Sequence, residues 1–301
     1  MTSALDLFAR EMRETGLVLR LLELARDEDL GREGDITSLA TVPADALGRV
    51  ALNARAPAVL AGLAFAPDVL ALFAPRCTFS ALARDGDRVA AGQAVASLAG
   101  PLRELLAAER TLLNLVCRLS GIATRTAAFI TAMGNAAVQL CDTRKTTPGL
   151  RVLEKYAVRC GGGHSHRLGL HDAVLIKDNH IASVPLERLA QVVADASRSA
   201  RALTTPKFVQ VEVDHLDQLD RLLSLPPGTI DIVLLDNMPP EMLREAIRRR
   251  NERQPGLVLE ASGGVTLATI AAIAATGVDR ISVGSLTHGA TSIDFGLDAL
   301  P

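Results

Sequence analysis

The residues with the most chemical potential lie in the second half of the chain, at the ends of short apolar runs. Asp142-Thr143-Arg144-Lys145 follows the run 137–141, and Lys177-Asp178-Asn179-His180 follows the run 173–176. Glu212 and Asp214 close the run 208–213, Asp236-Asn237 follows 230–235, and Ser262-Gly263-Gly264 comes after 257–260. A single polar residue at such a place is an ordinary helix cap. Five in succession suggest a ring of functional groups, because the C-terminal ends of the strands in a barrel converge on one mouth.

The types of these residues narrow the chemistry. Arg144, Lys145, Arg167 and Lys177, with His164 and His166 beside them, concentrate positive charge in a chain whose formal net charge is -2. Such a cluster calls for a polyanionic ligand: arginine grips planar carboxylates through its bidentate fork, and lysine supplies a compact charge for carboxylate or phosphate. Glu212 and Asp236 offer oxygen ligands from neighbouring strand ends. They suit Mg²⁺ held together with substrate phosphates, or ribose contacts, or salt bridges to the lysines. Ser262-Gly263-Gly264 opens an alanine-rich helical stretch, and Ser282-Val283-Gly284 repeats the device one unit later, as a phosphate cradle of backbone N–H groups would require. Cys160, His164 and His166 do not have the spacing of a zinc site and lack an evident fourth ligand.

The elements that position these groups follow from periodicity. Runs 137–141, 173–176, 208–213, 230–235, 257–260 and 280–283 alternate with helical stretches, the pattern of βα repeats around a parallel sheet, and a further strand is expected near 163–168. Periodicity alone leaves a barrel and an open sheet equally possible. Upstream, helices are expected at 5–14 and 17–27 and a strand at 48–54. Asp85-Gly86 to Gly92 has the turns of a β-hairpin, with no lysine at its tip such as a biotinyl or lipoyl carrier needs. From 102 to 118 apolar residues recur at helical spacing, with Glu109 in the middle of that stripe and Arg110 at its flank. The pattern leaves open whether Glu109 makes a structural ion pair or serves a site.

Bulk composition sets the outer bounds. The 301 residues exceed one ordinary domain; 49% are hydrophobic and only 3% aromatic, so the core is aliphatic. The near-neutral charge gives no general attraction to nucleic acid or anionic membrane. Cys77, Cys117, Cys141 and Cys160 are widely spaced without a CxxC pair, which fits a reducing cytoplasm. The N-terminal stretch has neither the basic flank nor the apolar core of a signal peptide, and no apolar run reaches membrane-spanning length.

Taken together, the motifs resemble the quinolinate phosphoribosyltransferases. The resemblance rests on Thr143-Arg144-Lys145-Thr146-Thr147-Pro148-Gly149-Leu150-Arg151, Glu154-Lys155-Tyr156-Ala157-Val158, Gly161-Gly162-Gly163, His166-Arg167, Gly169-Leu170 and Leu175-Ile176-Lys177-Asp178-Asn179-His180. It continues through Glu212-Val213-Asp214, Leu234-Leu235-Asp236-Asn237-Met238, Glu260-Ala261-Ser262-Gly263-Gly264-Val265, Ser282-Val283-Gly284 and Thr287-His288, and upstream through Glu109-Arg110-Thr111-Leu112-Leu113-Asn114. Ser165 stands where the family usually has Asn, and Gly289 where Ser is commoner.

The resemblance implies an N-terminal α/β sandwich domain over 1–120, to which a tail at 290–301 returns, and an incomplete, seven-stranded β/α barrel over 121–289. It implies transfer of phosphoribosyl from phosphoribosyl pyrophosphate to quinolinate with decarboxylation, giving nicotinate mononucleotide, pyrophosphate and CO₂ in NAD biosynthesis, with Mg²⁺ as cofactor. By the same resemblance the quinolinate site comprises Arg144, His166, Arg167 and Lys177, with Thr143 and Lys145 close by and Arg110 entering from a partner subunit. Lys145, Lys177, Glu212 and Asp236 fall to catalysis, Glu212 and Asp236 to the metal, and Ser262, Gly263, Gly264, Ser282, Val283 and Gly284 to phosphate. The implied assembly is a homodimer with shared active sites, or a hexamer. Three rivals remain at this point: a paralogue associated with molybdenum transport, a Schiff-base aldolase using Lys145 or Lys177, and a binding protein without catalysis.

Overall fold

The computed structural model describes residues 3–300. In chain order the first part runs α1 (Ala4–Glu14), α2 (Leu17–Leu30), α3 (Ile36–Thr41), β1 (Leu47–Ala54), β2 (Ala58–Val59), α4 (Ala66–Phe73), β3 (Thr78–Ala81), β4 (Arg88–Val89), β5 (Ala94–Pro101) and the long α5 (Leu102–Met133). There follow β6 (Gln139–Cys141), α6 (Arg151–Cys160), β7 (Val174–Ile176), α7 (Asp178–Ile181), α8 (Leu189–Leu203), β8 (Val209–Val213), α9 (Leu216–Leu222) and β9 (Ile232–Asp236). The chain closes with α10 (Pro240–Arg253), β10 (Val258–Ser262), α11 (Ile270–Ala274), β11 (Arg280–Ser282), α12 (Ser285–His288) and β12 (Phe295–Ala299). Among the described residues no helix is long and apolar enough to cross a membrane.

The chain folds as two compact units that cut across any linear boundary. The first joins Met1–Ala127, Lys145–Gly162 and Ser285–Pro301; the second joins Ala128–Arg144 and Gly163–Gly284. The sandwich-and-barrel expectation divides the chain at 120/121, and by contacts 145–162 sits in the first unit. There α6 packs with α1 and α2. The physical reason is that α6 is buried nearly all round: Val152, Leu153, Tyr156, Ala157 and Val158 are buried, and so are Glu154 and Lys155. A helix of that kind must be enclosed by other elements rather than lie on a surface.

In the first unit an antiparallel sheet has the order β12-β1-β5-β3, so the C-terminal strand closes one edge, with Leu52 opposite Leu297. Ser3 starts α1 with a capping box, its hydroxyl accepting the Asp6 N–H while Asp6 accepts the Ser3 N–H. The Asp85-Gly86 turn is structural: Asp85 accepts the N–H groups of Leu63 and Ala64 at 3.0 Å and the Tyr156 hydroxyl at 2.8 Å. Glu154, fully buried, accepts from Arg118 at 2.7 Å and from the Thr147 hydroxyl at 3.0 Å, which ties the Thr146-Thr147-Pro148 loop to α5. Gly121 lets the C-terminal tail touch α5, since a methyl there would run into the Thr291 carbonyl.

The second unit carries a parallel sheet of order β6-β11-β10-β9-β8-β7. All six strands expected from the sequence form. The further strand expected near 163–168 is reduced to one parallel bridge, between His164 and Cys141, beside β6. The strand order thus runs from the His164 segment to β7 without a ladder joining those two, as in an incomplete barrel. Helices cover the outer face, onto which Val209, Val211, Val213, Val233, Leu235, Leu259 and Ile281 are buried, each burial contributing roughly 1.5–3 kcal/mol.

Candidate active site

Strand register decides which side chains share the inner face. Glu212 pairs with Leu234, Leu234 with Glu260, and Glu260 with Arg280, so these four point the same way from neighbouring strands. One pleat further towards the C-terminal ends, Asp236 pairs with Ser262 and Ser282 with Cys141. Asp236, Ser262 and Ser282 therefore share one row at the mouth, and Glu212 lies one pleat deeper, in the row of Glu260 and Arg280. The second unit brings together Thr143, Arg144, His166, Arg167, Lys177, Glu212, Asp236 and both glycine turns. Lys145 and Arg110 belong to the first unit, and both are exposed.

Lys177, the residue after β7, donates to Glu212 Oε2 at 2.6 Å. Glu212 is almost buried, its side chain 8% exposed. Desolvation, followed by the charges of Glu212 and Asp214, pushes the Asp236 carboxyl above its ordinary range, and Lys177 opposes the rise. Two carboxylates thus face one cation at the mouth. This donor set fits a divalent ion taken up with substrate phosphates, because Mg²⁺ bound through one or two carboxylates keeps its other positions for phosphate and water. Among the described residues no group of three or more His, Cys, Asp or Glu forms an all-protein cage.

The raised Asp236 pKa has a testable cost. Ionised Asp236 is disfavoured in the folded chain, so its contribution to stability is present below the ordinary carboxylate pKa and is lost as pH rises through the elevated folded value. Asp236→Asn is expected to raise Tm by about 1–3 °C at neutral pH while abolishing turnover. The gain in Tm should vanish below about pH 3, where both states of the wild type bind the proton; thermal melts across pH check this.

Arg167 is buried, and among the described residues no carboxylate lies at ion-pair distance from it. Desolvation first, then the neighbouring Arg144 guanidinium, lowers its pKa. A buried guanidinium repelled by a second one suits an anion with at least two carboxylate or phosphate arms. Asp172 shapes the loop behind Arg167 by accepting the N–H groups of Leu168 at 2.8 Å and Gly169 at 2.9 Å.

The glycine turns differ in what they can offer. Gly263 and Gly264 both adopt left-handed backbone, φ 91° and 58°. Asn237, itself at φ 53°, donates its N–H to the Ser262 carbonyl at 2.9 Å and packs on Gly263. A methyl at Gly263 would run into the Asn237 amide oxygen, whereas nothing lies within 4 Å of one at Gly264. Gly263→Ala is therefore expected to displace the Asp236-Asn237 loop and raise KM for the phosphate-bearing substrate about tenfold or more, read in steady-state kinetics. In the other turn Val283 spends its N–H on the Cys141 carbonyl at 2.9 Å and Ser282 is buried, so the sheet itself uses part of that cradle.

Sequence reasoning missed the polar row beneath the mouth. Gln210 and Glu260 are fully buried inside the sheet. Burial pulls the Glu260 carboxyl up, but the His166 hydrogen bond, Arg280 and the Ser282 hydroxyl outweigh it and hold the group below its usual range. Arg280 also reaches the Cys141 thiol at 3.2 Å, and burial pushes that thiol up to about 12, which rules it out as a thiolate nucleophile. Asp142, fully buried, accepts the His166 N–H at 2.8 Å. The signal was present as a polar residue two places before a strand-end polar residue: Gln210 before Glu212, Glu260 before Ser262, Arg280 before Ser282.

Comparison with known proteins agrees along nearly the whole chain. Residues 35–120 match the model of the N-terminal domain of quinolinate phosphoribosyl transferase, and residues 122–298 match that of its C-terminal domain. The chain is similar to the nicotinate-nucleotide pyrophosphorylase [carboxylating] of Mycobacterium leprae, 46% identical over 276 residues, covering 91% of this chain and 94% of that one. A probable enzyme of the same name from Bacillus subtilis is 36% identical over 271 residues, covering 90% and 89%. Among solved structures, NadC from Streptococcus pyogenes superposes with a TM-score of 0.84 at 38% identity, covering 94% of this chain and 96% of that one. The nicotinate-nucleotide pyrophosphorylase from Francisella tularensis gives 0.83 at 37%, covering 95% and 96%.

Proposed function

The chain belongs to the quinolinate phosphoribosyltransferase family, decarboxylating enzymes of NAD biosynthesis, and from that premise we propose how its own residues carry the reaction. Quinolinate binds through its two carboxylates to Arg144, Arg167 and Lys177, with Thr143 and Lys145 flanking Arg144 in the chain. The observation that carries this reading is the pair Arg144 and Arg167, of which Arg167 is buried, its charge disfavoured by desolvation and by Arg144 and only partly offset by Asp172.

Phosphoribosyl pyrophosphate is the donor, its phosphates received by the Ser262-Gly263-Gly264 turn and by Gly284. Glu212 and Asp236 face the ribose and would hold Mg²⁺, which would offset pyrophosphate charge when bound. As the bond from the ribose C1 to pyrophosphate breaks, positive charge develops on the sugar, and the two carboxylates are placed to stabilise it. The quinolinate nitrogen takes up the C1 centre. The resulting ring cation accepts the electron pair released when the adjacent carboxylate leaves as CO₂, and a proton then closes the ring carbon. No covalent nucleophile is needed, so positioning and electrostatics account for the catalysis. A Schiff-base reading would need a free amine, and Lys177 donates instead to Glu212.

Incubation with quinolinate, phosphoribosyl pyrophosphate and Mg²⁺ should yield nicotinate mononucleotide, pyrophosphate and CO₂ in equal amounts. Turnover of another acid in place of quinolinate would overturn the substrate, and binding without pyrophosphate release would leave a binding protein. The active unit we propose is a cytoplasmic homodimer in which Arg110 serves the partner's site. Arg110→Ala alone should lose activity by a factor of about 10² or more. Mixed with a variant disabled at Lys177 it should regain part of it, because one hybrid site is then intact. Mixtures as inactive as either parent would argue that each subunit works alone.

A further inference from the structure

Both ring nitrogens of His166 are occupied by the protein itself. The backbone N–H of Arg167 donates to Nδ1 at 2.8 Å. Nε2 lies 2.8 Å from Gln210 Oε1 and 3.4 Å from Glu260 Oε1. Nδ1 accepts an N–H and so carries no proton, which leaves the proton on Nε2, where both neighbours are acceptors. The ring is further clamped by Phe208, edge to face at a centroid distance of 5.2 Å. An imidazolium would set its Nδ1 proton against the Arg167 N–H.

We propose that His166 is not a ligand of the dicarboxylate but a neutral positioning residue: Gln210 and Glu260, inside the barrel, fix its Nε2–H tautomer so that Nδ1 anchors the Arg167 backbone. The sequence resemblance had assigned His166 to the substrate clamp. In the present geometry its role passes through Arg167, and the clamp's positive charge comes from arginine and lysine alone. The charged and titratable groups around the ring are Glu260 from β10, Arg280 from β11, Asp142 after β6 and Arg167 itself. Glu260 is engaged at 3.2 Å by Arg280, so its charge is met without an imidazolium. The inference rests on quinolinate being the substrate.

Three measurements test it. In wild type, KM for quinolinate should stay within about twofold between pH 6 and pH 8; a ligand role that needs an imidazolium would instead make KM climb across that interval. Imidazole ¹⁵N spectra should show His166 protonated on Nε2 and bare on Nδ1 with and without quinolinate; an imidazolium in the complex would overturn the proposal. His166→Asn keeps an acceptor near the Nδ1 position and should hold KM within about threefold, whereas His166→Gln reaches only the Nε2 position and should raise KM about tenfold or more with a smaller change in kcat. Equal loss in both variants, or no change in either, would refute the anchoring role. Should wild type fail to turn over quinolinate, the functional reading falls, while the spectra still decide the tautomer.

Discussion

Arg167→Met is expected to lower kcat/KM for quinolinate by a factor of about 10²–10³ and, at the same time, to make the unliganded protein more stable. The two effects have one cause. Arg167 is buried, desolvation and the Arg144 charge both disfavour its ionised form, and Asp172 offsets them only in part, no carboxylate among the described residues lying at ion-pair distance. Because a guanidinium stays charged at neutral pH, the cost is present across the working pH range. Methionine fills similar volume without charge, and replacing a buried charge by a well-packed apolar group is often stabilising by about 1–4 kcal/mol. The bound dicarboxylate, in contrast, loses a bidentate charge-assisted pair, which accounts for roughly 3–4 kcal/mol of transition-state binding. Arg167→Lys should not restore activity, because an ammonium cannot reproduce the planar fork. Thermal melts with and without quinolinate check both signs: Tm of the free protein rises and the ligand-induced increase disappears. A variant that melts lower and still responds to quinolinate would show that Arg167 is structural.

Lys177→Met should have a comparable effect on turnover and a distinct effect on its pH dependence. Lys177 is the cation that Glu212 meets at 2.6 Å, and its charge is what opposes the upward shift of Asp236. Without it the two carboxylates face each other, and Asp236 rises further. The acid limb of kcat/KM, set by the need for ionised carboxylates at the ribose, should therefore move to higher pH, not lower. Breaking a close charge pair typically costs 2–5 kcal/mol, or about 30- to several-thousand-fold in rate. High Mg²⁺ should recover part of the loss by supplying the missing positive charge. If the acid limb stays in place, Asp236 is not coupled to Lys177 and the acidic pair does not act in the ionised form.

How much of this was legible beforehand depends on the range of the interaction. The six strands of the second unit were readable because each is a short apolar run, and β7 to β11 each end in a polar group or within one residue of one. The seventh was uncertain for a physical reason that the structure makes plain: at His164 a single bridge to Cys141 replaces a ladder, so the segment needs no strand-like sequence. The path of 145–162 into the first unit was not readable, since nothing in a buried amphipathic turn of helix says which apolar surface will enclose it.

By itself the sequence determined the chemical inventory: a basic cluster around Arg144 and Arg167, an acidic pair at Glu212 and Asp236, glycine turns after β10 and β11, and the family to which that spacing belongs. Local periodicity and residue type suffice for these, because they depend on neighbours a few residues away. Only the tertiary structure decided how the inventory is wired. Register placed Glu260 and Arg280 in one inward row with Glu212, and the bridge at Cys141 brought His166 beside Gln210. The packing of those side chains left Arg167 as a buried cation and turned both nitrogens of His166 inward. Pairings between residues more than forty positions apart are set by sheet order and burial, which no local pattern encodes.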